Sequence, residues 1–191
     1  MLTKTVDQKP LEILATAYDN KQLATIPFIV LRQAKPIPAE SWTKDEVDRP
    51  LADSGYTQAK AVARLLRAWR PTRVVASKYQ RSLETIAPYV KKYGGSVRTK
   101  RWLNIKAASD HPKHLSRRLQ QELKRLEPTV LCSQPSVIKR VLKEIKALIR
   151  DADTMISPKA VTARKKANLS PATILVVQRA KHQGGRIVSV E

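Results

Sequence analysis

The chemistry open to this chain of 191 residues rests on few side chains. Arg32 and Arg81 each stand just beyond a short apolar run that reads as a strand. A guanidinium is a planar fork that fits phosphate bidentately. Two such forks leaving two strands at one rim would hold a phosphoryl group. Gln33 and Gln134 also follow predicted strands. A glutamine amide offers hydrogen-bond donors and an acceptor, but its nitrogen is a very poor nucleophile and it has no proton that titrates near neutrality. The histidines are His111, His114 and His182. They fall in a loop, at a helix start and near a final hairpin, and read as exposed polar residues. The single Cys132 excludes a disulfide framework and a Cys-rich zinc site, and its place inside an apolar run marks it as a buried structural thiol.

The elements that must position these residues alternate. Residues 28–31, 73–77, 129–133 and 173–177 are apolar runs of strand length, and 96–99 is a weaker one. Between them lie amphipathic helices. Residues 53–69 carry Tyr56, Ala59, Ala63 and Leu66 on one face, and residues 80–93 carry Leu83, Ile86, Ala87 and Val90. Residues 115–126 carry Leu115, Leu119, Leu123 and Leu126. The stripe over 136–150 is the clearest, with Val137, Ile138, Val141, Leu142, Ile145, Leu148 and Ile149. Gly94-Gly95 supplies a helix stop, because glycine accepts the left-handed conformation. Residues 35–50 read as a loop and 151–171 as a basic, proline-punctuated connection. Gly184-Gly185 turns the chain into 186–190, an antiparallel edge. Strand–helix alternation predicts an α/β domain, three layers α/β/α around a mostly parallel central sheet, over residues 26–191. Residues 1–25 read as a leader or linker. In such sheets ligands sit beyond the carboxyl ends of the strands, which is where Arg32, Gln33, Arg81 and Gln134 fall.

Composition narrows the partners. There are 37 Lys+Arg against 16 Asp+Glu, a formal net charge of +21. That excess favours polyanions of any kind and names no function by itself. The apolar share of 42% supports a buried core, and no stretch suits a signal peptide or a membrane span. A lone thiol in a chain without an export signal fits a soluble, cytoplasmic protein.

A family resemblance is carried by several segments in order. Leu31-Arg32-Gln33-Ala34-Lys35 resembles the Leu-Arg-His-Ala-Lys opening of the histidine phosphatase, or phosphoglycerate mutase-like, superfamily. Trp42 through Asp45-Glu46 to Arg49-Pro50-Leu51 is similar to its Trp…Asp-Asp…Arg-Pro-Leu loop, and Gly55-Tyr56-Thr57-Gln58-Ala59 to its Gly-x-x-Gln-Ala helix. Ser77-Lys78-Tyr79-Gln80-Arg81-Ser82-Leu83-Glu84-Thr85 looks like its Ser-Pro-x-x-Arg-x-x-x-Thr segment. Val130-Leu131-Cys132-Ser133-Gln134 falls where a strand ends in its second histidine. The loop and the tail look most like the SixA-type branch. Within it they resemble the C-terminal domain of two-domain actinobacterial MutT-like proteins, although no Nudix box is visible here.

The resemblance implies a phosphoryl-transfer site lined by Arg32, Arg81, Gln33 and Gln134. It also implies that both catalytic histidines are replaced, the nucleophile by Gln33 and the second by Gln134. No catalytic residue, metal or cofactor is then expected. Three functions stay open. One is a degenerate, catalytically silent protein that binds a phosphate-bearing small molecule or a protein partner. Another is an active phosphohydrolase working without histidine. The third is a nonspecific nucleic-acid binder using helix 136–150 and the 159–166 segment, although aromatics make up only 5% of the chain.

Overall fold

The computed structural model describes residues 24–151, 169–181 and 187–190. Strand β1 is Thr25–Arg32. Its side chains alternate between two buried surfaces: Phe28 and Val30 join one core cluster, Ile29 and Leu31 the other. Burial on both faces is what a continuous apolar run predicts. The same division holds for β4, Thr129–Ser133, where Leu131 enters the first cluster and Val130 and Cys132 the second.

Six strands form one sheet, in the order β3-β2-β4-β1-β5-β6. β2 is Arg73–Ala76, β3 Val97–Thr99, β5 Ile174–Ala180 and β6 Ile187–Val190. β2, β3, β4 and β1 pair parallel, while β5 runs antiparallel to β1 and β6 antiparallel to β5. The sheet is thus mostly parallel, with an antiparallel hairpin on one side. Helices α1, Asp53–Leu66, and α2, Gln80–Tyr93, cover one face through Val62, Ala63, Leu66, Ile86 and Tyr89. Helices α3, Ile105–Asp110, α4, Pro112–Leu123, and α5, Pro135–Asp151, cover the other. The α5 stripe buries Val137, Ile138, Val141, Leu142, Ile145 and Ile149. Three layers result, as the strand–helix alternation implies.

Several boundaries differ from the sequence reading. The first helix ends at Leu66 rather than residue 69, in a tight turn where Arg70 takes a positive φ of 44°. The helix expected over 115–126 begins earlier, with Pro112 at its first positions, and ends at Leu123. Leu126 therefore lies beyond it, and is exposed rather than part of the core face. Ala87 faces solvent, and Tyr89 takes the inward place, its hydroxyl donating to the Pro71 carbonyl at 3.0 Å. Tyr56 is partly exposed and donates to Glu84. The short α3 and the 3-10 turn before it were not foreseen, because six residues are too few to show a period. Gly94 caps α2 at a φ of 81°, as glycine allows. Cys132 is fully buried, and burial pushes its thiol pKa up. The leader through residue 23, the basic 159–166 segment, Gly184-Gly185 and His182 lie outside the described residues. Among the described residues no helix is long and apolar enough to cross a membrane.

Candidate functional site

Parallel pairing brings three strand ends to one edge. Arg32 sits opposite Ser133 in the β1–β4 register, and Ala76 opposite Cys132 in β2–β4. The residues that follow, Gln33, Ser77 and Gln134, therefore leave the sheet together. Backbone bonds fix them there: Gln33 N–H donates to the Ser133 carbonyl at 3.0 Å, and Ser77 N–H to the Cys132 carbonyl at 3.2 Å. The loop after β1 is tied to α2, where Ala34 N–H donates to Thr85 Oγ1 at 2.9 Å.

Gln33 and Gln134 are both buried, at 3% and 1% exposure. A chain of hydroxyls joins them. The Gln134 amide donates to Ser77 Oγ at 2.7 Å and to Ser82 Oγ at 3.1 Å. Ser77 Oγ donates to Ser82 Oγ at 3.0 Å, and Ser82 Oγ to Gln33 Oε1 at 3.4 Å. Ser133 Oγ lies 3.0 Å from Gln134 Oε1 and 2.8 Å from the Leu103 carbonyl. Buried amides are expensive to leave unpaired, and this network supplies partners to both.

Arg81 is buried in the first turn of α2 and lies over the Tyr79 ring, 4.7 Å from its centroid. Its terminal nitrogens are taken by one residue of the 42–51 loop: Nη1 donates to the Glu46 carbonyl at 2.7 Å, and Nη2 to the Glu46 carboxylate at 2.8 Å. Arg81 Nε, though buried, has no partner among the described residues. Arg49 grips the same carboxylate with two bonds, 2.8 and 2.7 Å. These donors hold the Glu46 carboxyl below its usual range, Arg49 first and Arg81 after it, against the opposing effect of burial. Burial lowers the pKa of Arg81, while Glu46 offsets part of that shift.

Arg32 ends β1 half-buried, and its Nε too is buried without a partner among the described residues. Burial lowers its pKa. No carboxylate pairs with it among the described residues. Arg32, Arg49, Arg81 and Glu46 thus sum to two excess positive charges at this edge.

The structure therefore joins Gln33, Gln134 and the α2 turn that carries Arg81 through one serine network, and leaves Arg32 at the adjoining strand end. His111 and His114 are exposed and line a different cleft, beside α4. Glu46, Ser77, Ser82 and Glu84 were missed as site residues. Glu84 closes the 42–51 loop onto α2, accepting from Leu51 N–H at 2.7 Å and the Tyr56 hydroxyl at 2.9 Å. An acidic residue in a loop otherwise rich in charge gives no signal of its own; Ser82 next to Arg81 at a helix start was the one available cue. Among the described residues no cluster of His, Cys, Asp and Glu could hold a metal ion.

Residues 38–155 match the family model of the histidine phosphatase superfamily (branch 1), and the chain belongs to that superfamily. Solved structures agree in fold. A protein assigned as the phosphohistidine phosphatase SixA of Agrobacterium tumefaciens superimposes with a TM-score of 0.62 at 18% identity, over 87% of this chain and 97% of that one. A second SixA assignment, from Nakamurella multipartita, gives 0.58 at 20% identity, over 88% and 96%. The mycobacterial glucosyl-3-phosphoglycerate phosphatase gives 0.58 at 17%, over 87% and 96%. At such identities the likeness is one of fold. No curated protein sequence matches the chain.

Proposed function

We propose that this chain is a histidine phosphatase-fold protein that binds a phosphate-bearing ligand and does not turn it over. In this reading Gln33 and Gln134 stand at the positions of the two catalytic histidines. The hydrogen-bonded run from the Gln134 amide through Ser77 and Ser82 to Gln33 carries the proposal. Covalent phosphoryl transfer needs a nucleophile at a strand end, and an amide there cannot serve. Losing the nucleophile of a covalent enzyme costs on the order of 10⁶ in turnover.

Anion binding is supported by the charge that stays. Among the described residues Arg32 has no carboxylate partner, Arg81 Nε is buried and unpaired, and the carboxylate on Arg81 belongs to a half-exposed loop residue. A phosphate would take the place of Glu46 on Arg81 and reach Arg32. The motifs of the 42–51 loop and the tail also support kinship with the phosphatase half of MutT-like two-domain proteins.

The phosphatase folds among its structural neighbours favour a second reading, slow hydrolysis by direct attack of water. Phosphoryl transfer can rest largely on positioning and charge, which two arginines supply. Orthophosphate binding, followed by titration calorimetry, tests the proposal. Wild type is expected to bind and Arg32→Ala to lose most of the affinity. Equal binding by both variants overturns it.

A further inference from the structure

A cleft of about 970 Å³ lies beside α3 and α4; none of Arg32, Gln33, Arg81 and Gln134 lines it, although Val47, Lys78 and Tyr79, neighbours of the Arg81–Glu46 pair, do. Arg73 lines it at the start of β2 and Lys78 lines it just past the strand's end. Besides Arg73, which is paired with Glu122, its lysines and arginines are Lys78, Lys100, Arg101, Lys106, Arg118 and Arg125. Of these six, Arg125 has a carboxylate partner, Glu122 at 3.6 Å; the other five have none among the described residues. Arg118 is held in place by His114 Nε2, which accepts from its Nε at 3.0 Å, and by Gln121 at 3.1 Å. The acidic lining residues are Asp110 and Glu122, and Glu122 is already buried against Arg73.

We infer that this cleft is a binding site for a linear oligophosphate chain, distinct from the Arg32–Arg81 edge. Its volume leaves room for far more than orthophosphate, since about 300–1,000 Å³ is the size of a pocket for a whole organic ligand. Charge selects the chemistry. Among the described residues, five unpaired cations line one cleft with Asp110 as its only acid outside the buried Arg73–Glu122 pair, whereas an extended acidic peptide presents a side chain to one face only every ~7 Å. A nucleic-acid strand has a suitable charge density, about one per 3.4 Å. Yet the cleft offers it no stacking platform: Tyr79 and Trp102 are 9% and 8% exposed, and Tyr79 already lies against Arg81. A chain of consecutive phosphates needs charge and arginine forks alone, and both are present.

The test is titration of the full chain with orthophosphate, tripolyphosphate, adenosine triphosphate and a short oligothymidylate at fixed salt. Tripolyphosphate is expected to bind at least about tenfold tighter than orthophosphate. Lys100→Glu/Arg101→Glu and, separately, Lys106→Glu/Arg118→Glu should each weaken it by about tenfold. Lys139→Glu/Lys143→Glu, exposed on α5 outside the cleft and equal in charge change, should leave it within about threefold. Equal affinity for adenosine triphosphate points to a nucleoside-borne chain, and weaker affinity to free oligophosphate. The inference is overturned if tripolyphosphate binds no tighter than orthophosphate, if the α5 control loses as much as the cleft variants, or if oligothymidylate binds tightest. Arg32→Ala separates the two sites, because it should remove orthophosphate binding and leave tripolyphosphate binding intact.

Discussion

Glu46 occupies both terminal nitrogens of Arg81, its carbonyl at 2.7 Å and its carboxylate at 2.8 Å. The loop thus places an internal anion on the one fully buried arginine of the strand-end site. Removing that carboxylate should uncover the arginine. For Glu46→Gln, orthophosphate affinity is expected to rise roughly threefold to tenfold, the scale of a partly exposed ion pair worth ~1 kcal/mol. The pH dependence has a defined sign. The Glu46 carboxyl is held below its usual range, so its stabilisation is present above that range and is lost as pH falls through the depressed value. The difference in Tm between wild type and Glu46→Gln should shrink as the solution is acidified below the ordinary carboxylate range. A difference that stays constant with pH would contradict this.

Arg73 and Glu122 form a second, structural pair. Two bonds of 2.7 and 2.9 Å join them with both side chains buried, and the bond from Glu122 raises the arginine's pKa. Glu122→Gln leaves a buried guanidinium short of its counter-charge, and should cost about 3–5 kcal/mol in denaturant unfolding. The double change Arg73→Met/Glu122→Leu should cost less than the single one, since the charges left behind, on Arg125 and Glu127, are exposed.

Gly55 sets the approach of α1 to the loop after β1. A Cβ there would lie 2.1 Å from the Lys35 carbonyl oxygen, which is backbone and already accepts from Ala52 N–H. Gly55→Ala should therefore destabilise by about 1–3 kcal/mol, as overpacking does. It should also loosen the Lys35–Gln58 bond beside the site. A Tm unchanged from wild type would refute the close approach.

Much of this was legible in the sequence for a physical reason. Runs such as Phe28-Ile29-Val30-Leu31 must be buried on two faces, so they fix strands, a parallel core and the edge where Arg32, Gln33 and Gln134 emerge. The α5 stripe is long enough to show its period. What stayed hidden depends on contacts across sequence. Arg81 meets Glu46 over 35 positions, and Gln134 meets Ser77 over 57, with no local pattern announcing either. Arg179 is a similar case. It lies fully buried within β5, its guanidinium bonded to carbonyls of Leu123, Arg125 and Glu127, in a strand whose apolar run gives no hint of a buried cation.

A degenerate site of this kind should keep binding where turnover is lost. The direct measurement is phosphate release from a phosphomonoester panel that includes nucleoside phosphates, for wild type, Arg32→Ala and the double change Gln33→His/Gln134→His. Wild type should release no phosphate above the Arg32→Ala background, and the double histidine variant should turn over. If wild type turns over and Arg32→Ala does not, the chain is a working phosphohydrolase and the claim is wrong.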